Sequence, residues 1–507
     1  MPVSPLVIGV DSSTTSTKAI IVDETGSVLA QGKAEFELHT PRVDFYEQDP
    51  RDWWLSTNSA IARAVAALSV DDQARITHIC ATIQRQTFAL VDEDGEPLRP
   101  GIIWLDGRAA DQVRRFGTEA VHQLTGFQPD VTPSVYKIAW LADNEPEVLR
   151  RADKLVGVHA YLVHAMTGRW VDSQAAADSL GLFDMANLTW SDLMLGHAGL
   201  DRAQLPELVP AASVIDVVKR EVSQGWGLDQ PVSLVASCGD GQAAALGVGA
   251  IGPDEAYLNM GTALVAGVHS ASYEYADVFR TDAAGIPGQY VLEIVQNSGA
   301  YLAGWFREKL GDPVLKGRPD PALEEASSAV AVGCGGLVTL PYWNAVQSPH
   351  WNPVAHGAVV GLAGSYGRAE LYRSVLEGIS IEMARNLAGL QSTTGVPLTT
   401  LTAVGGGQRS PLWRGIMADA VGVPLTECPI DEASAMGAAV MAMTATGVHE
   451  SVQAAAKAMT TQGTTTEPDM DNHQTYLELG EIQNNVYRQL EGIFDDQYEF
   501  ARRHPLN

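Results

Sequence analysis

The sequence is poor in cysteine and in positive charge, and it has no long hydrophobic run. Its four cysteines (Cys80, Cys238, Cys334, Cys428) are scattered through 507 residues without a C-x-x-C pair. That spacing offers no disulfide framework and suits a reducing, cytoplasmic compartment. Lys and Arg number 33 against 61 Asp and Glu, a formal net charge of −28. Such a chain repels phosphate backbones and anionic lipid, so neither nucleic acid nor membrane is an expected partner. No uninterrupted apolar stretch is long enough to span a bilayer. The first residues lack a basic segment followed by a long apolar one, so no secretory signal is expected. What remains is a chain too long for one core, with 46% apolar and 19% charged residues. Those proportions predict a folded enzyme of two large domains.

The stretch Leu6–Val22 organises the rest. An apolar run ends on Asp11, small hydroxyl residues follow, and a second β-branched run begins. This pattern predicts two antiparallel strands with a polar hairpin between them. Thr14, Thr15, Ser16 and Lys18 offer hydroxyls, backbone N–H groups and an ammonium without bulk, which suits a polyphosphate. Asp11 is a hard oxygen ligand suited to Mg²⁺, directly or through water. An ordinary hairpin with a polar tip would read the same way in isolation.

Further along, Val28–Phe36 completes a three-strand meander, and Asp49-Pro50 is a helix start with Asp49 as cap. Residues 76–83 read as a buried strand running into Gln84-Arg85-Gln86. Residues 232–236 read as another, ending at Gly239-Asp240-Gly241 where an Ala-rich helix begins. Ile251-Gly252-Pro253 marks the domain boundary. Residues 256–268 then repeat the strand, small polar turn, strand arrangement around Gly261-Thr262, which suggests an internal duplication of architecture. Gly405-Gly406-Gly407 precedes a helix capped by Ser410, started by Pro411 and closed near Gly422. Residues 432–446 read as a buried Ala/Met-rich helix. The tail, with Tyr476 and Tyr487 at helical spacing, reads as a surface helix packing back on the body.

These pieces, in this order, resemble the FGGY carbohydrate kinases, which include glycerol kinase, xylulokinase, ribulokinase and gluconate kinase. The match to the family's C-terminal signature runs from Gly357-Ala358-Val359-Val360-Gly361-Leu362 to Glu370-Leu371-Tyr372-Arg373-Ser374-Val375-Leu376-Glu377. Gly405–Trp413 resembles the adenosine loop, and Pro349-His350-Trp351-Asn352-Pro353 a Pro-Tyr-Trp-Asp-Pro run. The N-terminal signature around Ser134, Lys137 and Trp140 is nearly complete, with Thr132 at its first position. Ser13 stands where most members have glycine.

The resemblance implies an α/β fold of two ribonuclease-H-like domains of the actin and hexokinase type, with a cleft between them. The expected division is 1–250 for sugar, phosphate loop and base, 251–450 for nucleotide, and 451–507 for a helical tail. It also implies roles. Asp240 is the expected catalytic base, sharing the shell of a Mg²⁺ ion with Asp11; a helix N-cap is the plain alternative for Asp240. Gly261 and Thr262 are expected at the γ-phosphate, and Gly405, Gly406, Gly407 and Ser410 around the adenosine of ATP. Gln84, Arg85, Gln86, Trp104, Thr132 and Asp240 are expected at the acceptor. Gln84-Arg85-Gln86 follows neither the Gln-Arg-Glu of glycerol kinase nor the Gln-Met-His usual in xylulokinases. Thr132 replaces a tyrosine that contacts glycerol in glycerol kinase. Asp106 and Arg108 read as a structural ion pair.

The leading expectation is an ATP-dependent kinase of a pentulose such as D-xylulose, with glycerol, erythritol or ribitol as alternative acceptors. Homodimerisation is left open. A non-catalytic nucleotide- or sugar-binding regulator is the contrasting reading, and the presence of both Asp11 and Asp240 speaks against it.

Overall fold

A computed structural model describes residues 4–316 and 318–504. The elements that position the site are, in the first half, strands β1 (Leu6–Ser12), β2 (Ser16–Val22) and β3 (Val28–Glu35), helix α1 (Pro50–Ala66), strand β4 (Ile76–Ile83), helix α2 (Ser134–Asn144), strand β5 (Ser233–Val235) and helix α3 (Asp240–Gly247). The second half supplies β6 (Glu255–Met260), β7 (Leu264–Ser270), β8 (Arg280–Ala283), β9 (Tyr290–Gln296), helix α4 (Arg368–Thr394), strand β10 (Thr400–Val404), helix α5 (Pro411–Val421), strand β11 (Leu425–Glu427), helix α6 (Ala433–Ala445) and the long α7 (Met470–Arg503).

The β-branched runs of β1 and β2 pair antiparallel, with Asp11 opposite Lys18, and β2 continues antiparallel into β3. On the other side β1 runs parallel to β4, with Asp11 opposite Thr82, and β4 runs parallel to β5. The second sheet repeats this plan. There β6 is antiparallel to β7, and β7 to β9, while β6, β10 and β11 run parallel. The two series, β5-β4-β1-β2-β3 and β11-β10-β6-β7-β9, correspond strand for strand in order and sense. The expected duplication is therefore one of topology, carried by residues that are little alike. An edge strand, β8, extends the second sheet beyond β9.

The helix ends follow local chemistry. Asp49 caps α1 by accepting from the Arg51 N–H, and Ser410 caps α5 by accepting from the Trp413 N–H at 3.1 Å. Gly422 closes α5 in a left-handed conformation. Helix α6 is buried along nearly its whole length. Although it comes late in the chain, it packs on β1, β4 and α3 of the first sheet. Glycine permits this close approach. A Cβ on Gly437 would lie 1.8 Å from the Ala243 carbonyl oxygen, and one on Gly9 would lie 2.2 Å from that of Ala435. The tail helix α7 buries Tyr476, Leu479, Gln483, Tyr487 and Phe494, and Tyr476 donates to Glu377 of α4 at 3.0 Å. Among the described residues no helix is long and apolar enough to cross a membrane.

Candidate active site

Both sheets direct loops into one region. Asp11 ends β1, and its Oδ1 is buried with no protein hydrogen-bond partner. Burial, then the charges of Asp240 and Glu432, push its carboxyl up to about 7 against the opposing pull of Lys18. The hairpin after it is closed by Ser13, whose N–H and hydroxyl both reach the Ser16 carbonyl, at 3.0 and 2.8 Å. Thr15 is exposed at the tip, Thr14 is partly exposed and Ser16 is buried. Lys18 is drawn across the hairpin to Glu432, just before α6, at 2.7 Å.

Asp240 opens α3 directly beyond β5, beside the end of β4, where Gly239 bridges Ile83. Its side chain is 38% exposed, so it is available from the cleft. Ser434 of α6 holds its carbonyl at 3.0 Å. The Asp240 Oδ1 takes the Arg85 Nε–H at 3.1 Å and the Gly241 N–H at 2.9 Å. Among the described residues no protein donor takes Oδ2.

Gln84-Arg85-Gln86 falls at the end of β4, as expected, but its side chains divide. Gln84 is buried and donates to Gln48 at 2.8 Å. Gln48 is itself held by Trp53 at 2.9 Å and donates to the Thr14 carbonyl. Gln84 thus stands in the layer beneath the Asp11 hairpin. Arg85 points into the junction between the two sheets, where it meets Asp282 of β8 at 3.1 Å and Glu293 of β9 at 2.9 Å as well as Asp240. Gln86 occupies the left-handed region at φ 56°, and its N–H donates to Ser179 at 3.2 Å. Such a backbone state is costly for a residue with a side chain, and it is concentrated at functional sites.

Trp104 lies open at 37% exposure, and its indole N–H reaches the Thr14 hydroxyl at 3.0 Å. It therefore ties its loop to the Asp11 hairpin rather than packing in a core. Thr132 takes its place through Lys137 of α2. The buried Lys137 ammonium donates to the carbonyls of Thr132 at 2.7 Å, Ile103 at 3.0 Å and Trp104 at 3.3 Å. Burial pushes Lys137 down to about 7, against Asp106 and Asp130. Asp106 and Arg108 pair at 2.7 Å, both buried, as a structural ion pair.

From the second sheet, the Gly261-Thr262 turn joins β6 to β7, and its two carbonyls accept from Ala300 at 2.8 Å and Gly299 at 3.0 Å. The Gly405-Gly406-Gly407 loop lies against the same strand end. Gly405 is left-handed at φ 91°, and a Cβ there would lie 2.8 Å from Asn259 Oδ1. On Gly407 it would lie 2.9 Å from the Met260 carbonyl, while Gly406 is exposed. The Ser410 hydroxyl accepts from the Trp413 N–H as a helix cap and donates to Glu324. Gln48, Lys137, Asp282, Glu293, Glu432 and Ser434 carried no role in the sequence reading. Only Lys137 had a local signal, its place in the N-terminal signature.

The duplicated ribonuclease-H-like plan, with Asp11 and Asp240 beside a hydroxyl-rich hairpin, defines the class: a two-domain protein of the actin and hexokinase type. The N-terminal domain of the FGGY family of carbohydrate kinases matches residues 6–247, and its C-terminal domain matches residues 256–446. The chain belongs to the FGGY carbohydrate kinases, which use ATP as co-substrate. It is 30% identical to a xylulose kinase of Escherichia coli, over 96% of this chain and 99% of the relative. It is 26% identical to a gluconokinase of Bacillus subtilis, over 98% of each. Its fold matches the crystal structure of gluconate kinase from Lactobacillus acidophilus with a TM-score of 0.91, covering 97% of this chain and 100% of that one at 23% identity.

Proposed function

We propose that this kinase phosphorylates a hydroxyl of a small uncharged sugar, with a pentulose such as D-xylulose first. The carrying observation is Asp240: one oxygen is tethered by Arg85 and Gly241, while the other is free toward the cleft. In this reading Oδ2 takes the acceptor hydroxyl's proton as the new O–P bond forms and the bond to the departing ADP breaks. Thr14, Thr15, Ser16 and Lys18 receive the phosphates, Gly261 and Thr262 meet the γ-phosphate, and Gly405, Gly406 and Gly407 line the adenosine. Trp104, Gln86 and Thr132 surround the acceptor.

The residues fit a Mg²⁺ ion. Asp11 presents a buried oxygen without a partner and is held near neutrality by burial and then by like charges, a deficit that a cation relieves. Among the described residues no group of three or more His, Cys, Asp or Glu side chains gathers around one point, in keeping with an ion that keeps most of its water and phosphate ligands. Asp11 and Asp240 would hold it, and it would supply charge neutralisation on the phosphates.

Charge favours a neutral acceptor over an aldonate such as gluconate. Three cations near the acceptor region already have protein partners: Arg85 three carboxylates, Arg108 Asp106 and Glu47, and Lys137 three carbonyls. An acceptor carboxylate entering here would be desolvated without a partner. The test is ADP release with Mg-ATP across pentuloses, hexuloses, pentitols, erythritol, glycerol and gluconate. A neutral ketose should exceed gluconate in kcat/KM by roughly a hundredfold or more. Gluconate as the best acceptor would refute the charge argument, and ATP binding with no stimulated ADP release would favour a regulator.

A further inference from the structure

We propose that Asp282 of β8 and Glu293 of β9 are positioning residues for phosphoryl transfer. From the second sheet they hold the Arg85 guanidinium, which fixes one oxygen of the base Asp240 and leaves the other to the acceptor. The proposal rests on the kinase reading above.

The geometry is that of a built clamp. Arg85 faces a different carboxylate with each nitrogen: Nε meets Asp240 at 3.1 Å, Nη1 meets Asp282 at 3.1 Å, and Nη2 meets Glu293 at 2.9 Å. The Arg85 side chain is 11% exposed, and those of Asp282 and Glu293 are fully buried. Glu293 is fixed in turn by Arg280, whose Nε lies 2.8 Å away, and by the Tyr257 hydroxyl at 2.6 Å. Buried ions on this scale are costly unless each is paired in good geometry. Here the pairing ends at the one carboxylate that reaches the cleft.

The glycines on either side of Asp240 give an independent sign. A Cβ on Gly239 would lie 2.5 Å from the Arg85 side-chain carbons, and one on Gly241 would lie 2.4 Å from Glu293 Oε2 and 2.7 Å from Arg85 Nη2. The Gly-Asp-Gly run lets the clamp lie against the backbone that carries the base. Asp282 and Glu293 give the Arg85 guanidinium two fixed partners besides Asp240, so its orientation toward the base is set from the second sheet.

The test is steady-state kinetics on full-length Glu293→Gln and Asp282→Asn proteins, using Mg-ATP and the best acceptor of the panel, with thermal melts as a folding control. Both should lose roughly ten- to hundredfold in kcat while the KM for ATP stays within about twofold, as expected when a reacting group is misplaced rather than a ligand lost. In an Arg85→Met background neither substitution should cost more, because the carboxylates act through that side chain. Asp282→Asn is isosteric and keeps the test open if Glu293→Gln fails to fold. A folded variant with parental kcat, or losses that multiply in full with Arg85→Met, would overturn the proposal. A parent protein that phosphorylates no acceptor would overturn the kinase reading and this inference with it.

Discussion

Replacing Asp11 by Asn should abolish transfer and yet stabilise the protein. Without a cation the Asp11 carboxyl titrates at about 7, against 3.8 when unperturbed. The folded protein keeps a proton that the unfolded chain releases near pH 4. Folding therefore loses ground as pH rises from about 4 to about 7, and the deficit is constant above that. The shift corresponds to about 2–4 kcal/mol, the lower figure allowing for solvent reaching a residue that is only partly buried. Asn has no such deficit. By thermal unfolding in a chelator near pH 8, a gain of about 2 kcal/mol should raise the melting temperature of the first domain by roughly 4–8 °C. Near pH 4 the gain should vanish. Saturating Mg²⁺ should raise the parent's melting temperature and leave that of Asp11→Asn unchanged. An Asn variant no more stable than the parent near pH 8, or equally affected by Mg²⁺, would refute both the buried-charge account and the placement of the ion.

Two further substitutions test the scaffold. Gly437→Ala places a methyl 1.8 Å from the Ala243 carbonyl oxygen and must push α6 from α3. It should cost about 1–3 kcal/mol or more, read as a fall in melting temperature with a parallel loss of kcat because Ser434 moves with the helix. Lys137→Met keeps the stem but removes the ammonium that ties the Trp104 and Thr132 loops. It should raise the acceptor KM roughly tenfold and leave the ATP KM near parental, a split that steady-state kinetics reads directly.

Local chemistry was legible in the sequence. The Asp11 hairpin, the Asp49-Pro50 and Ser410-Pro411 helix starts and the buried character of α6 each depend on residues a few positions apart. The duplicated plan was legible as two hairpins, since strand order follows from how such units close. What could not be read lies in contacts between distant residues. Arg85 was expected at the acceptor because of its place at a strand end, but its partners stand 155, 197 and 208 positions away. Gln84 shares that strand end, yet alternation along the backbone turns it under the hairpin toward Gln48. No pattern within α6 says that it belongs to the first sheet. That is decided by Gly9 and Gly437, whose missing side chains matter only once the surfaces meet.

The seating of α6 has a consequence for how the protein is made. As the chain leaves the ribosome, β1, β4 and α3 emerge early with one apolar face bare, and the helix that covers it begins only at Ala433, well after α3 ends at Gly247. The half that is translated first is therefore finished nearly last. A gene fragment ending near residue 251 would lack the helix that covers this face.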